Sequence, residues 1–107
     1  MDAVLRAIAE PRRREILQLI QEAELSSGEI AARFEVSGPA ISQHLKVLLE
    51  AGLATMRKEG TRRLYRARPE GLAEVRSFLE AFWDEGLRSL KEAAEAAERR
   101  SKISGDN

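Results

Sequence analysis

The chain contains no cysteine, which removes disulfides, thiolate metal ligands and thiol redox chemistry from the functions open to it. It has one histidine, His44, too few imidazoles for a tight zinc site within one chain. Nor is there a glycine-rich phosphate loop or a convergent acid/base pair, so no catalytic constellation can be assembled and the chain reads as a non-enzyme without metal or cofactor. No apolar run approaches the roughly 18 residues of a membrane span, and the N-terminus lacks the apolar core of a signal peptide. The expectation is a soluble protein of the cytoplasm.

Net charge is also missing, because 18 basic and 18 acidic residues cancel, so any basic footprint has to be local. It is. Residues 53–68 carry six cations and one anion, whereas acidic residues outnumber basic ones on either side. At 107 residues the core is modest, and a partner subunit is expected to add burial. The expected organisation is one domain over residues 1–100 with a disordered tail at 101–107.

The charged window follows Ser37–Gly52, around which the rest is arranged. At helical spacing Ile41, Leu45, Leu48 and Leu49 form one apolar stripe, and Pro39, Ala40, Gln43, Lys46 and Val47 fall opposite, with Ser37, Ser42 and His44 along the borders. That outer face lacks the acidic fringe of an ordinary solvated helix. Its donors suit phosphates and base edges in a DNA major groove. The competing reading is an amphipathic helix that only packs.

In chain order, Asp2 is expected to cap a short helix with Val4, Leu5 and Ile8 on one side, and Pro11 opens a second helix that buries Ile16, Leu17, Leu19 and Ile20. Arg12, Arg13 and Arg14 stand in its first turn, where the helix dipole disfavours cations; a solvated basic turn and a clamp on DNA phosphate are both open. Ser26 and Glu29 make a capping box for a short helix ending near Glu35, and Val36-Ser37-Gly38 connects it to the next, as in a helix-turn-helix. From Leu53 the period changes to two. Residues 53–58 and 62–67 read as strands joined by Glu59-Gly60-Thr61, a hairpin carrying Arg57, Lys58, Arg62, Arg63, Arg66 and Arg68. Alternation sends Leu64 to one face and Arg63 and Tyr65 to the other, although Tyr65 can also cover the core from the edge. Such an edge either resists aggregation or lies along a DNA backbone.

Pro69 is expected to begin the last helix. Its apolar band, Leu72, Val75, Phe78, Leu79, Phe82, Trp83, Leu87 and Leu90, holds three of the chain's five aromatics. A self-complementary interface is the expected use of that band, against a helix folded back on its own core.

At the level of residues the chain resembles the ArsR/SmtB family of bacterial repressors from about Val4 to Leu90. The matching motifs are Ala9-Glu10-Pro11-Arg12-Arg13-Arg14-Glu15-Ile16-Leu17, Ser37 followed by Ile41-Ser42-Gln43-His44-Leu45-Lys46-Val47-Leu48, Ala51-Gly52-Leu53, and Glu59-Gly60-Thr61-Arg62 with Tyr65. The resemblance implies a mainly α winged helix-turn-helix with a small β-hairpin and terminal dimerisation helices. It also implies a homodimer on the double-stranded DNA of an inverted-repeat operator. The residues expected at DNA are Arg12, Arg13, Ser37, Gly38, Pro39, Ala40, Ser42, Gln43, His44 and Lys46, with Arg57, Lys58, Arg62 and Arg63 on the wing. Those expected at the dimer interface are Val4, Leu5, Ile8, Leu72, Val75, Phe78, Leu79, Phe82, Trp83, Leu87 and Leu90. Metal-sensing members carry a Cys-x-Cys motif whose positions fall here on Ser26 and Gly28, and others use histidines on the last helix, where this chain has none. The resemblance therefore supports DNA binding and not metal or thiol sensing, and it names neither operator nor effector. The alternative function is a winged-helix module that binds protein through its aromatic helix.

Overall fold

A computed structural model describes residues 1–105. The architecture is mainly helical with one small antiparallel sheet, the winged helix-turn-helix expected from the sequence. Helix α1 (Asp2–Ala9) takes Met1 and not Asp2 as its N-cap, because the Met1 carbonyl already accepts the first helical hydrogen bond, from Leu5 N–H at 3.0 Å. Asp2 instead sits in the first turn, facing the positive end of the helix dipole. The chain breaks at Glu10, held extended before a proline, and α2 (Pro11–Glu22) follows with Pro11 in its first turn.

That break leaves the last carbonyls of α1 without helical partners. Arg13 Nε donates to the Ala7 carbonyl at 2.7 Å and Arg13 Nη2 to the Arg6 carbonyl at 3.1 Å, while Arg14 Nη1 donates to the Ile8 carbonyl at 2.7 Å. Two arginines that are misplaced for α2 are therefore well placed for the negative end of α1.

The core joins Ile16 and Ile20 of α2 to Ile30 of α3 (Ser27–Arg33) and to Ile41, Leu45 and Leu48 of α4 (Gly38–Glu50), all of them 0% exposed. Each such side chain contributes about 1.5–3 kcal/mol of transfer free energy. The capping box of α3 is complete: Ser26 Oγ accepts from Glu29 N–H at 3.1 Å, and the Glu29 carboxylate accepts from Ser26 N–H at 3.1 Å. Helix α3 stops at Arg33, short of the expected Glu35, because Phe34 turns extended and lays its ring partly against the core.

Strand β1 (Leu25–Ser26) was not expected. It pairs with β3 (Arg62–Ala67), which lies between β1 and β2 (Ala54–Glu59), so the hairpin is two strands of a three-stranded sheet. Gly60, at φ +62°, carries the only positive φ in the two-residue turn, the type II′ geometry that matches strand twist. Tyr65, 8% exposed, joins the core cluster, whereas Leu64, 6% exposed, lies on the opposite sheet face. The tyrosine thus takes the core-covering alternative. Leu64 stands across from Arg57 and Ser26, and the aliphatic stem of Arg57 is suited to cover it.

Residues Pro69–Leu72 form a 3-10 turn, and α5 (Ala73–Gly105) starts after it, not at Pro69 as expected. The tighter path brings Gly71 against the end of α4: a Cβ there would lie 2.3 Å from the Gly52 carbonyl oxygen. Arg68 closes the junction, its N–H on the Leu53 carbonyl at 2.8 Å and its Nη1 on the Gly52 carbonyl at 3.1 Å.

The chain divides into a compact unit Met1–Val75, which includes the first residues of α5, and a second unit that begins at Arg76 and holds the rest of that helix. The helix continues through Gly105, into the stretch 101–107 for which a disordered tail was expected, and extending an existing helix needs no new nucleus. Residues 106 and 107 of that expected tail lie outside the described residues. Among the described residues no helix is long and apolar enough to cross a membrane.

Candidate nucleic-acid interface

Helix α4 is anchored from one side and open on the other. With Ile41, Leu45 and Leu48 inside, Ser37, Gly38, Pro39, Ser42, Gln43 and Lys46 are exposed, and Ala40 and His44 are half-buried at the border. No carboxylate occurs on the helix before Glu50. Ser37 also holds the start of α4, its Oγ accepting from Ala40 N–H at 3.2 Å.

The first-turn arginines of α2 are engaged within the fold. Arg12 lies 4.6 Å from the centroid of the Phe34 ring and 3.3 Å from the Glu15 carboxylate. Arg13 caps α1 and places Nη1 3.4 Å from His44 Nδ1. These contacts account for both side chains without DNA, a use that neither sequence reading contained.

The wing cations divide by sheet face. Register and alternation put Arg57, Arg62 and Arg66 on the face of Leu64, and Lys58 and Arg63, which pair across the strands, on the face of Tyr65 near the turn. Arg57 grips Glu24, its Nε 2.9 Å from each carboxylate oxygen and its Nη2 2.6 Å from Oε1, and also reaches Glu59 at 2.9 Å. Arg62 pairs with Glu29, the carboxylate that also completes the capping box. The Glu24 carboxyl is held below the ordinary glutamate range chiefly by the hydrogen bonds from Arg57. Glu29 is held low first by the Ser26 backbone N–H, then by the Ser26 hydroxyl and Arg62. Among the described residues Lys46, Lys58 and Arg63 have no carboxylate partner. Glu24 as a wing contact was not foreseen, and Glu29 was foreseen only as a cap.

The residues expected at a dimer interface also separate. Val4, Ile8 and Leu72 are partly buried against the core of their own unit and Val75 is buried. Leu5 is 43% exposed, and on α5 Phe78, Leu79, Phe82, Trp83, Leu87 and Leu90 are 47–69% exposed, with Phe78 and Phe82 stacked at 6.3 Å.

The family model described as bacterial regulatory protein, arsR family, matches residues 10–55, from the start of α2 into β2. An HTH-type transcriptional regulator of Mycobacterium tuberculosis is 44% identical over 86 residues, 80% of this chain and 80% of that protein. This chain belongs to the ArsR family. An ArsR-like transcriptional regulator from Rhodococcus superposes with a TM-score of 0.75 at 35% identity, covering 89% of this chain and 90% of that one. A homodimeric winged helix-turn-helix DNA-binding domain from Mycobacterium bovis, a possible ArsR-family transcriptional regulator, superposes at 0.63 with 32% identity and 78% coverage of each chain. These relatives are named as regulators and not as enzymes, in accord with the non-enzyme reading of the sequence. The ArsR match spans the helix-turn-helix but ends before Arg57, so the division of the wing cations rests on this chain's own side chains.

Proposed function

We propose that this ArsR-family regulator is a homodimeric, sequence-specific DNA-binding repressor, with α4 in the major groove and the Lys58 and Arg63 face of the wing on flanking phosphates. The observation that carries the reading is the exposed face of α4: Ser42, Gln43 and Lys46 on a helix pinned by three fully buried side chains, with no carboxylate before Glu50 at its far end. The Gln43 amide can pair with the N6/N7 edge of adenine, and Lys46 meets guanine acceptors or phosphate. A second copy is the occupant proposed for the exposed aromatic face of α5. The Mycobacterium bovis domain, itself homodimeric, supports that choice. A two-fold dimer matches an inverted repeat with half-sites about one helical turn apart. Repression needs only occupancy of the operator. We read the chain as a member that does not sense metal, since it has no thiol and one imidazole.

Selection from random duplex DNA, followed by titration of the recovered duplex in rising salt, tests the proposal. An enriched inverted repeat with steeply salt-dependent affinity is expected. No enrichment, together with salt-insensitive capture of a protein by α5, would favour the interaction-module reading.

A further inference from the structure

The one histidine stands at the border of the exposed face of α4, and its surroundings decide what it offers. Its Nδ1 faces Arg13 Nη1 at 3.4 Å, long for a hydrogen bond, and the two can pair only in the tautomer whose Nδ1 accepts. A guanidinium carries donors only, so the nitrogen facing it carries no proton. In that tautomer the ring proton is on Nε2, which has no protein partner among the described residues. Arg13 is itself fixed at the other end by the Ala7 and Arg6 carbonyls.

Resting on the DNA-binding reading above, we infer that Arg13 is a positioning residue that turns His44 so that Nε2–H is presented to the duplex as a donor. Because the same guanidinium closes α1, the end of the first helix and the edge of the reading surface are set by one side chain. The His44 donor lies at the border of α4, where phosphate oxygens are the acceptors within reach. It therefore contributes affinity evenly across sequences, in contrast to Gln43.

The test uses the full chain and the duplex recovered by selection. One histidine gives one pair of imidazole nitrogen signals, so the proton is expected on Nε2 by NMR in the free protein, with the Nδ1 signal moving in Arg13→Met. A purely structural cap on α1 would not move it. In DNA titrations His44→Asn is expected to lose about tenfold, and His44→Gln, which keeps a donor near the Nε2 place, to bind at least fivefold tighter than His44→Asn. Arg13→Met in the His44→Asn background is expected to cost little more. A proton on Nδ1, an unmoved Nδ1 signal, equal Asn and Gln variants, or additive losses each overturn the inference. If Arg13→Met does not fold, the wild-type spectrum and the two His44 variants still decide. Failure to recover any duplex overturns the DNA reading and the role of His44 with it. A recovered duplex bound equally by the Asn and Gln variants overturns this inference alone.

Discussion

Removing Lys58 and Arg63 together should flatten the salt dependence of operator binding, whereas removing Arg57 and Arg62 together should leave it nearly unchanged. The reasoning starts from counterion release, in which each neutralised phosphate contributes about −0.9 to the slope of log K against log salt. Lys58 and Arg63, without a carboxylate partner among the described residues, make four cations in a dimer, so Lys58→Ala/Arg63→Ala should reduce the slope by about 3.6. Between about 50 and 200 mM salt, wild type should then lose roughly 150-fold more affinity than the variant does. Arg57 and Arg62 are differently placed, because each already has a carboxylate partner. To reach a phosphate Arg57 must leave Glu24 and Glu59, stranding two anions beside the DNA. Exposed pairs of this kind add little to folding stability, so neither double variant should unfold. Fluorescence anisotropy across a salt series measures the slope, and circular dichroism confirms the fold. An unchanged slope for Lys58→Ala/Arg63→Ala, with a flattened slope for Arg57→Ala/Arg62→Ala, would refute the division of the wing.

Four further outcomes are expected. Gly71→Ala places a Cβ 2.3 Å from the Gly52 carbonyl, backbone against backbone, and should cost about 1–3 kcal/mol; an unchanged thermal midpoint would show that the junction shifts freely. Trp83→Ala removes a ring that is 65% exposed in the protomer, so sedimentation at micromolar concentration should shift toward monomer while urea unfolding of the Met1–Val75 unit is unchanged; a wild type that is already monomeric contradicts this. The Glu24 carboxyl is depressed by Arg57, so the pair is complete above the unfolded pKa and is lost only as pH falls through the lower folded one; Arg57→Ala should raise the Glu24 midpoint seen by carboxyl-carbon NMR, and an unmoved midpoint removes the pair. After chelation, zinc, cadmium, nickel or arsenite at micromolar excess should change operator affinity less than tenfold, and a larger, reversible, metal-specific loss would reveal a site that these residues do not suggest.

What was legible in the sequence was what short-range chemistry decides. Ile41, Leu45 and Leu48 recur at helical spacing and are all fully buried, Ser26 and Glu29 form their capping box, and Gly60 turns the hairpin. Strand β1 was hidden because two residues cannot show a period, and its existence depends on Leu64 and Tyr65 being alongside. The 3-10 turn at Pro69 was hidden because Pro suits the first turn of either helix type, and what selects the tighter one is the passage of Gly71 over Gly52.

The electrostatics of the wing were the least legible part, for a reason that can be stated residue by residue. A window with six cations and one anion suggests a uniformly basic wing, yet Glu24 and Glu29 each stand 33 residues before the arginine they hold. Strand β1 and the first turn of α3 bring both carboxylates to the Leu64 face of the sheet, and Lys58 and Arg63 on the other face have no carboxylate partner among the described residues. The sign of a residue is written in the sequence, but its availability is written in the register. A slip of one residue along the strands would exchange the faces of Arg57 and Lys58 and of Arg62 and Arg63. It would also lift Tyr65 out of the core, which makes the slip unfavourable. The burial of one tyrosine therefore helps determine that Lys58 and Arg63 stand on the sheet face away from Glu24 and Glu29.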